Sequence, residues 1–278
     1  MFKIAIDAGH GLNTAGKRCM KKLDPNQTRE WTLNNRIAEK VETLLQSYTG
    51  YQLLRVDDPT GKKDVSLSAR VKAANRFDAD VYLSLHHNAG INGGKGGGIV
   101  AYIAKTAGAE SARWQKELYD GLIADTGLKG NRATPLGKKN YYVVKNTKMP
   151  AVLLELGFMD SATDVPVILS EAYADKAAAA ILRVLVSRGK LRAKEEKAQM
   201  CNVELPILKK GSKSASVKGM QGLLLGHGFA MESGGKTYGA DGSFGAATEN
   251  ALKAFRKAKG LGAEGVCDGK TWSALLGV

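Results

Sequence analysis

The stretch Met1-Phe2-Lys3-Ile4-Ala5-Ile6-Asp7-Ala8-Gly9-His10-Gly11 opens the chain with an apolar run of strand character that stops at a Gly-His-Gly turn. A run this continuously apolar suits a strand covered on both faces, as in a parallel sheet packed between helices. The same alternation returns downstream. Strands are predicted over Phe2–Asp7, Tyr51–Val56, Val81–His86, Gly98–Ile103 and Ala151–Leu156. Amphipathic helices are predicted over Glu30–Gln46, with Thr28 as its cap, and over Leu67–Phe77, Ala109–Thr126 and Glu171–Ser187. Strands alternating with helices predict an α/β fold with a mostly parallel sheet flanked by helices. In such sheets the loops at the carboxyl ends of the strands carry function.

The chain has 278 residues, enough for one medium and one small domain. Gly189 to Gln199 is charged and lacks apolar periodicity, which divides the sequence into an α/β domain over 1–188, a linker over 189–202 and a small all-helical domain over 203–278. Helical stretches in the last part lie near Ser216–Leu225, Ala246–Lys259 and Asp268–Leu276. Two Asp-Gly phrases, at Asp241-Gly242 and Asp268-Gly269, read as turns that lead into helix starts. Within the linker, Lys194-Glu195-Glu196 is encoded by purine-rich codons upstream of Met200, so an internal start that yields the second module alone is a further expectation, set against a plain charged helix.

Lys and Arg number 41 against 27 Asp and Glu, a formal charge of +14. The excess is spread: 27 basic against 19 acidic residues in 1–189, 4 against 2 in 190–202, and 10 against 6 in 203–278. Such a charge favours nucleic acid, anionic membrane or anionic wall polymer as partner. Its dispersion and the lack of a nucleic-acid motif argue against the first. The longest apolar run, Ala177 to Val186, is broken by Arg183 and too short to span a bilayer, so stable membrane insertion is not expected. Cys19, Cys201 and Cys267 form no CxxC pair, which argues against a disulfide scaffold. The N-terminal residues show no export signal, so the expectation is a protein made in the cytoplasm.

Of four histidines, His10 follows the first strand and His86-His87 closes the third, in Ser84-Leu85-His86-His87-Asn88-Ala89. Parallel strands bring such ends to one rim, where Glu30 at the next helix start either supplies a carboxylate to the histidines or simply complements the helix dipole, with the histidines packed or solvated. Two His and one Glu with an open position is a catalytic zinc arrangement. Glu155 ends an otherwise apolar run and is either a structural ion pair or a desolvated general base. His227 reads as structural, and Lys138, Lys139, Lys145 and Lys148 either line a substrate approach or form a solvated loop.

Together, Ile6-Asp7-Ala8-Gly9-His10-Gly11, Glu30, Arg70, Ala74-Asn75, Ala79-Asp80, Ser84 to Ala89 and Pro150 to Phe158 resemble the zinc-dependent N-acetylmuramoyl-L-alanine amidases of the amidase-3 family, over residues 1–186. Residues Leu208 to Trp272 resemble the small peptidoglycan-binding module joined to wall hydrolases. The resemblance implies Zn2+ held by His10, Glu30 and His86, with Glu155 as the catalytic carboxylate. It implies hydrolysis of the amide between N-acetylmuramic acid and L-alanine, with peptidoglycan and anionic wall polymers as partners. A zinc peptidase of the stem peptide is the nearest alternative chemistry. The setting it suggests is a phage endolysin that reaches the wall after release, with a sporulation or mother-cell autolysin as the alternative. Three positions depart from the family pattern: His87, read as a substrate-rim residue; Asp160-Ser161 after the catalytic strand; and Arg256, which replaces a glutamine in the binding module.

Overall fold

A computed structural model of the protein describes residues 1–194 and 204–278. The chain divides into two compact units, Met1–Glu196 and Lys197–Val278. The expected internal start at Met200 and most of the charged linker lie outside the described residues. Gly189, by contrast, closes a helix, and Arg192–Ala193 pairs as a strand with Tyr48–Thr49, so the first residues assigned to the linker belong to the first unit.

The first unit runs β1 (Phe2–Ala8), α1 (Glu30–Leu45), β2 (Tyr48–Thr49), β3 (Tyr51–Arg55), α2 (Leu67–Phe77), β4 (Val81–Asn88), β5 (Ile99–Ile103), α3 (Ala109–Thr126), β6 (Leu136–Lys138), α4 (Tyr142–Asn146), β7 (Ala151–Phe158), α5 (Val165–Ile168), α6 (Glu171–Gly189) and β8 (Arg192–Ala193). The central sheet has the order β3-β1-β4-β7-β5-β6. All neighbours are parallel except β5 and β7. β1, β4 and β7 are buried along most of their length because apolar layers cover both faces. One layer includes Ile37 and Val41 of α1, Leu118 of α3 and Ile181 of α6. The other includes Val71 and Ala74 of α2 and Val143 of α4.

Helix starts follow local chemistry. Ser66 caps α2 by accepting from Ala69 N at 3.3 Å, and Ser170 caps α6 by accepting from Tyr173 N at 3.2 Å. The expected Thr28 cap does not form. Arg29 occupies the N-cap with no side-chain hydrogen bond, and Thr28 instead donates its N–H to Asp24 at 2.6 Å. β1 sends its chain to β3 on one side while β4 lies on the other, so the strand order reverses between β1 and β4. Ligand sites in open α/β sheets form at such a crevice.

The second unit contains β9 (Leu208–Lys209), α7 (Ala215–Gly226), β10 (Met231–Ser233), β11 (Lys236–Tyr238), α8 (Ala246–Ala258), β12 (Val266–Cys267) and α9 (Gly269–Leu276). Three helices enclose a core of Val217, Met220, Leu252, Phe255 and Trp272. The helices follow the predicted stretches, whereas the two antiparallel ladders, β9 with β12 and β10 with β11, depart from the all-helical expectation. These strands are two or three residues long, too short for a period-2 pattern. Asp268 caps α9 by accepting from Thr271 N at 2.9 Å. Asp241 caps nothing; it accepts from Gln221 Nε2 and from Ser243 N, and Gly245 starts α8.

Candidate active site and metal centre

β1 delivers His10 at its carboxyl end in a left-handed backbone conformation (φ 67°), which a non-glycine residue holds only when its surroundings enforce it. Arg70, buried at the start of α2, does so. Its guanidinium donates to the carbonyls of Ala8 and His10, each at 3.0 Å, and to the Asp7 carboxylate. Asp7 also accepts from Tyr82 Oη at 2.9 Å and Ser84 Oγ at 2.8 Å. Burial alone would raise the Asp7 pKa, but the Arg70 charge and these hydrogen bonds hold it below the ordinary value. The pair is thus a fully bonded buried network that fixes the His10 loop.

Glu30 is the first residue of α1, and its side chain is almost fully buried. Its Oε1 lies 3.0 Å from His86 Nδ1 and 3.4 Å from His10 Nε2, and it accepts from the His87 N–H at 3.2 Å. The two imidazoles meet edge to face with centroids 4.9 Å apart. One ligand atom from each of His10, Glu30 and His86 lies within 4.8 Å of the others. Gly9 makes this approach feasible, because a Cβ there would collide with the His86 ring. Burial would raise Glu30, but the hydrogen bonds and charges of His10 and His86 hold it well below the usual carboxylate range. Burial likewise disfavours His86⁺, yet Glu30 raises its pKa overall.

Glu155 pairs with His86 across β4 and β7 and with Val100 across β5 and β7. Burial pushes its carboxyl up to about 7; His86 pulls it down, Glu30 pushes it up, and Lys17 and Lys139 lower it. Its Oε2 is buried without a hydrogen-bond partner among the described residues, as is Oε2 of Glu30. Lys17 Nζ stands 3.5 Å from the latter oxygen. Glu155, Glu30, His86, Lys17 and Arg18 line one cavity of about 380 Å3. A second cavity of about 360 Å3 reaches His10 and His86 past Asp64 and Leu67. The structure therefore gathers His10, Glu30 and His86 into one donor set and places Glu155 beside His86, which both cavities share.

His87 borders the cavity that Glu155 lines, yet its imidazole is engaged elsewhere. Its side chain faces α1, where Nδ1 lies 2.8 Å from Asn34 Oδ1, and it is almost fully buried. Asn34 in turn donates to the Gly9 carbonyl at 3.1 Å, so His87 and Asn34 tie β4 to the His10 loop. Burial drives the His87 pKa down to about 3, leaving it neutral. The Asp160 departure also has a structural explanation. One Asp160 oxygen accepts the N–H groups of Gly90, Ile91 and Asn92, each at 2.8 Å, and so fixes the loop after β4. Arg256 is buried and donates to the carbonyls of Leu261 and Val266 and to Glu264 and Asp268. It joins α8 to the α9 cap. His227 Nε2 lies 2.9 Å from the Leu275 carbonyl and so links the end of α7 to α9. Sequence reasoning gave no role to Asp7, Asn34 or Tyr82. The signal for Asp7 was present, since it is a carboxylate closing an apolar strand just as Glu155 is.

A family model described as N-acetylmuramoyl-L-alanine amidase matches residues 4–187. The chain belongs to this amidase family. A second model, described as a putative peptidoglycan binding domain, matches residues 213–275. The amidase-family domain is similar to the sporulation-specific N-acetylmuramoyl-L-alanine amidase of Bacillus subtilis (strain 168), with 34% identity over 167 residues, 59% of this chain and 59% of the relative. An endolysin of Bacillus phage SPP1 is 29% identical over 219 residues, 73% of this chain and 75% of that protein. Among solved structures, the catalytic domain of the amidase CwlV from Bacillus (Paenibacillus) polymyxa var. colistinus superposes with a TM-score of 0.61 at 25% identity, covering 69% of this chain and all of that one. An amidase from Clostridium difficile 630 gives 0.60 at 27% identity, covering 67% and 95%. The matches span 59% and 63% of the length of two of the curated Bacillus amidases.

Proposed function

We propose that the protein hydrolyses the amide between the lactyl group of N-acetylmuramic acid and the L-alanine of the peptidoglycan stem. The observation that carries this reading is the partnering of Glu155 with His86 beside the His10, Glu30 and His86 donor set. Two imidazoles and a carboxylate, with a buried carboxylate oxygen lacking a hydrogen bond, fit zinc chemically. A zinc ion held by His10, Glu30 and His86 would supply Lewis acidity, polarising the scissile carbonyl and making water acidic enough to react near neutral pH.

The remaining work falls to side chains of this chain. Glu155, desolvated and with an unpartnered oxygen, accepts the proton of the attacking water and returns it to the departing amine. Arg70 and Asp7 hold the His10 loop, and Asn34 with His87 holds it from the α1 side. The second unit would retain the enzyme on the wall, a reading supported by its likeness to a peptidoglycan-binding family. A phage lysis role is favoured by the longer reach of the endolysin alignment, 219 residues against 167 for the sporulation amidase. No helix among the described residues is long and apolar enough to cross a membrane.

Mass spectrometry of digested peptidoglycan tests the reaction. Intact glycan strands and free stem peptides beginning with L-alanine are expected. Cleavage inside the stem peptide would transfer the site to peptidase chemistry.

A further inference from the structure

The Lys138-Lys139 segment, which the sequence left between substrate approach and solvated loop, forms part of a built cavity. β5 pairs Tyr102 with Gly137 of β6 and with Leu153 of β7. A Cβ at Gly137 would collide with the Tyr102 ring, so that glycine lets the ring lie across β6 as a floor. Lys139 Nζ stands 4.8 Å from the Tyr102 ring centre and 5.5 Å from that of Tyr141, and it donates to Tyr141 Oη at 3.3 Å. The two rings meet edge to face at 5.3 Å. An ammonium held this way is oriented before any ligand arrives. Nearby, the Arg132 guanidinium lies 4.4 Å from the centre of the Phe158 ring.

Charge identifies the ligand class. Among the described residues, Arg132, Lys138 and Lys139 make no ion pair within 4.0 Å, whereas Lys116, Arg183 and Arg188 all do. Three cations lining one cavity, with Lys139 over its Tyr102 floor and no carboxylate among the lining residues, suit an anion. Position narrows it further. Val100 pairs with Glu155, and Tyr102 lies two residues along β5 on the same face, so the Cα atoms of Tyr102 and Glu155 are about 8 Å apart at ordinary strand spacings. Two residues of extended peptide reach about 7 Å.

We propose that the cavity of about 660 Å3 lined by Tyr102, Arg132, Lys138 and Lys139 is a subsite for the α-carboxylate of the acidic residue that follows L-alanine in the stem peptide, with Lys139 as its anchor. The inference rests on the amidase reading above and adds a specificity determinant to it. The subsite discriminates stems with a free α-carboxylate from stems in which that group is amidated.

The test uses the zinc-loaded full chain and two synthetic muramyl peptides, one with a free D-isoglutamyl α-carboxylate and one with the α-carboxamide. The wild type is expected to favour the free acid in kcat/KM by about tenfold or more, the size of a lost charge-assisted contact. Because Lys139 also favours ionised Glu155, the two substrates are compared on the high-pH plateau, where Lys139→Met is expected to bring the ratio close to one through a raised KM for the acid alone, with the thermal transition held, and Lys139→Arg to restore the preference. Equal cleavage of the two substrates by the wild type, as for a sugar bound on the aromatic floor, would overturn the subsite and leave the amidase reading intact. An undiminished preference in Lys139→Met would do the same. Cleavage of neither peptide would instead remove the amidase reading and this inference with it.

Discussion

Glu155 is held by opposing influences: burial pushes its carboxyl up to about 7, while His86, Lys17 and Lys139 favour the ionised form. A proton acceptor must be ionised, so kcat/KM should rise with pH as Glu155 loses its proton. A cation at the adjacent donor set would further favour the carboxylate and move this limb to lower pH. Lys17→Met, which removes one favourable charge, should move the limb to higher pH; an unmoved profile would assign the limb to another group. Gly9 carries a second prediction. In Gly9→Ala the new Cβ collides with the His86 ring, so zinc affinity should fall by about tenfold or more, as seen when the support of a metal ligand is disturbed. Zinc titration against a competing chelator measures it, and wild-type affinity would show that His86 yields without leaving the site.

At the scale of elements, the buried Asp7–Arg70 pair joins β1, the start of α2 and the His10 loop. Asp7→Asn leaves Arg70 charged and unpaired in the interior and should destabilise the protein by about 3–5 kcal/mol in urea denaturation. The pH dependence has a definite sign. The Asp7 pKa is lower in the folded state, so its contribution is full above the unfolded value near 3.8 and is lost as pH falls through the folded value. His87 acts earlier. Kept neutral down to about 3 against 6.5 when solvated, it makes stability decline as soon as pH falls below about 6.5. A His87→Asn variant should flatten that first decline, and an equally steep loss would acquit His87. The major strands and helices were legible because their apolar runs and periodicities are long, and His10, Glu30, His86 and Glu155 because each punctuates a strand end or helix start. β6, three residues with a glycine in the middle, carries no such pattern. The roles of Asn34 and Tyr82 were hidden because their partners lie 25 and 75 residues away in sequence. The contact of the His87 imidazole with Asn34 was not legible, because local pattern does not reveal what α1 packs against.

Over the whole molecule, the excess of 41 basic over 27 acidic residues is carried by both the amidase-family domain and the second unit. Attraction to anionic wall polymers should therefore engage the full chain, and binding to purified walls should weaken steadily between low and physiological salt, where the screening length shrinks to about 8 Å. Salt-independent binding would assign retention to uncharged contacts. In the proposed mechanism His10, Glu30 and His86 hold the metal while Glu155 moves the proton. This division of roles is tested most directly by measuring bound zinc and released L-alanine amino termini together in Glu155→Gln and in Glu30→Gln. Glu155→Gln should keep about one zinc per chain and lose turnover by about 10²-fold or more, the usual range for removing a general acid–base group, whereas Glu30→Gln should lose both. Turnover at the wild-type rate in zinc-loaded Glu155→Gln, or full zinc occupancy in Glu30→Gln, would contradict it.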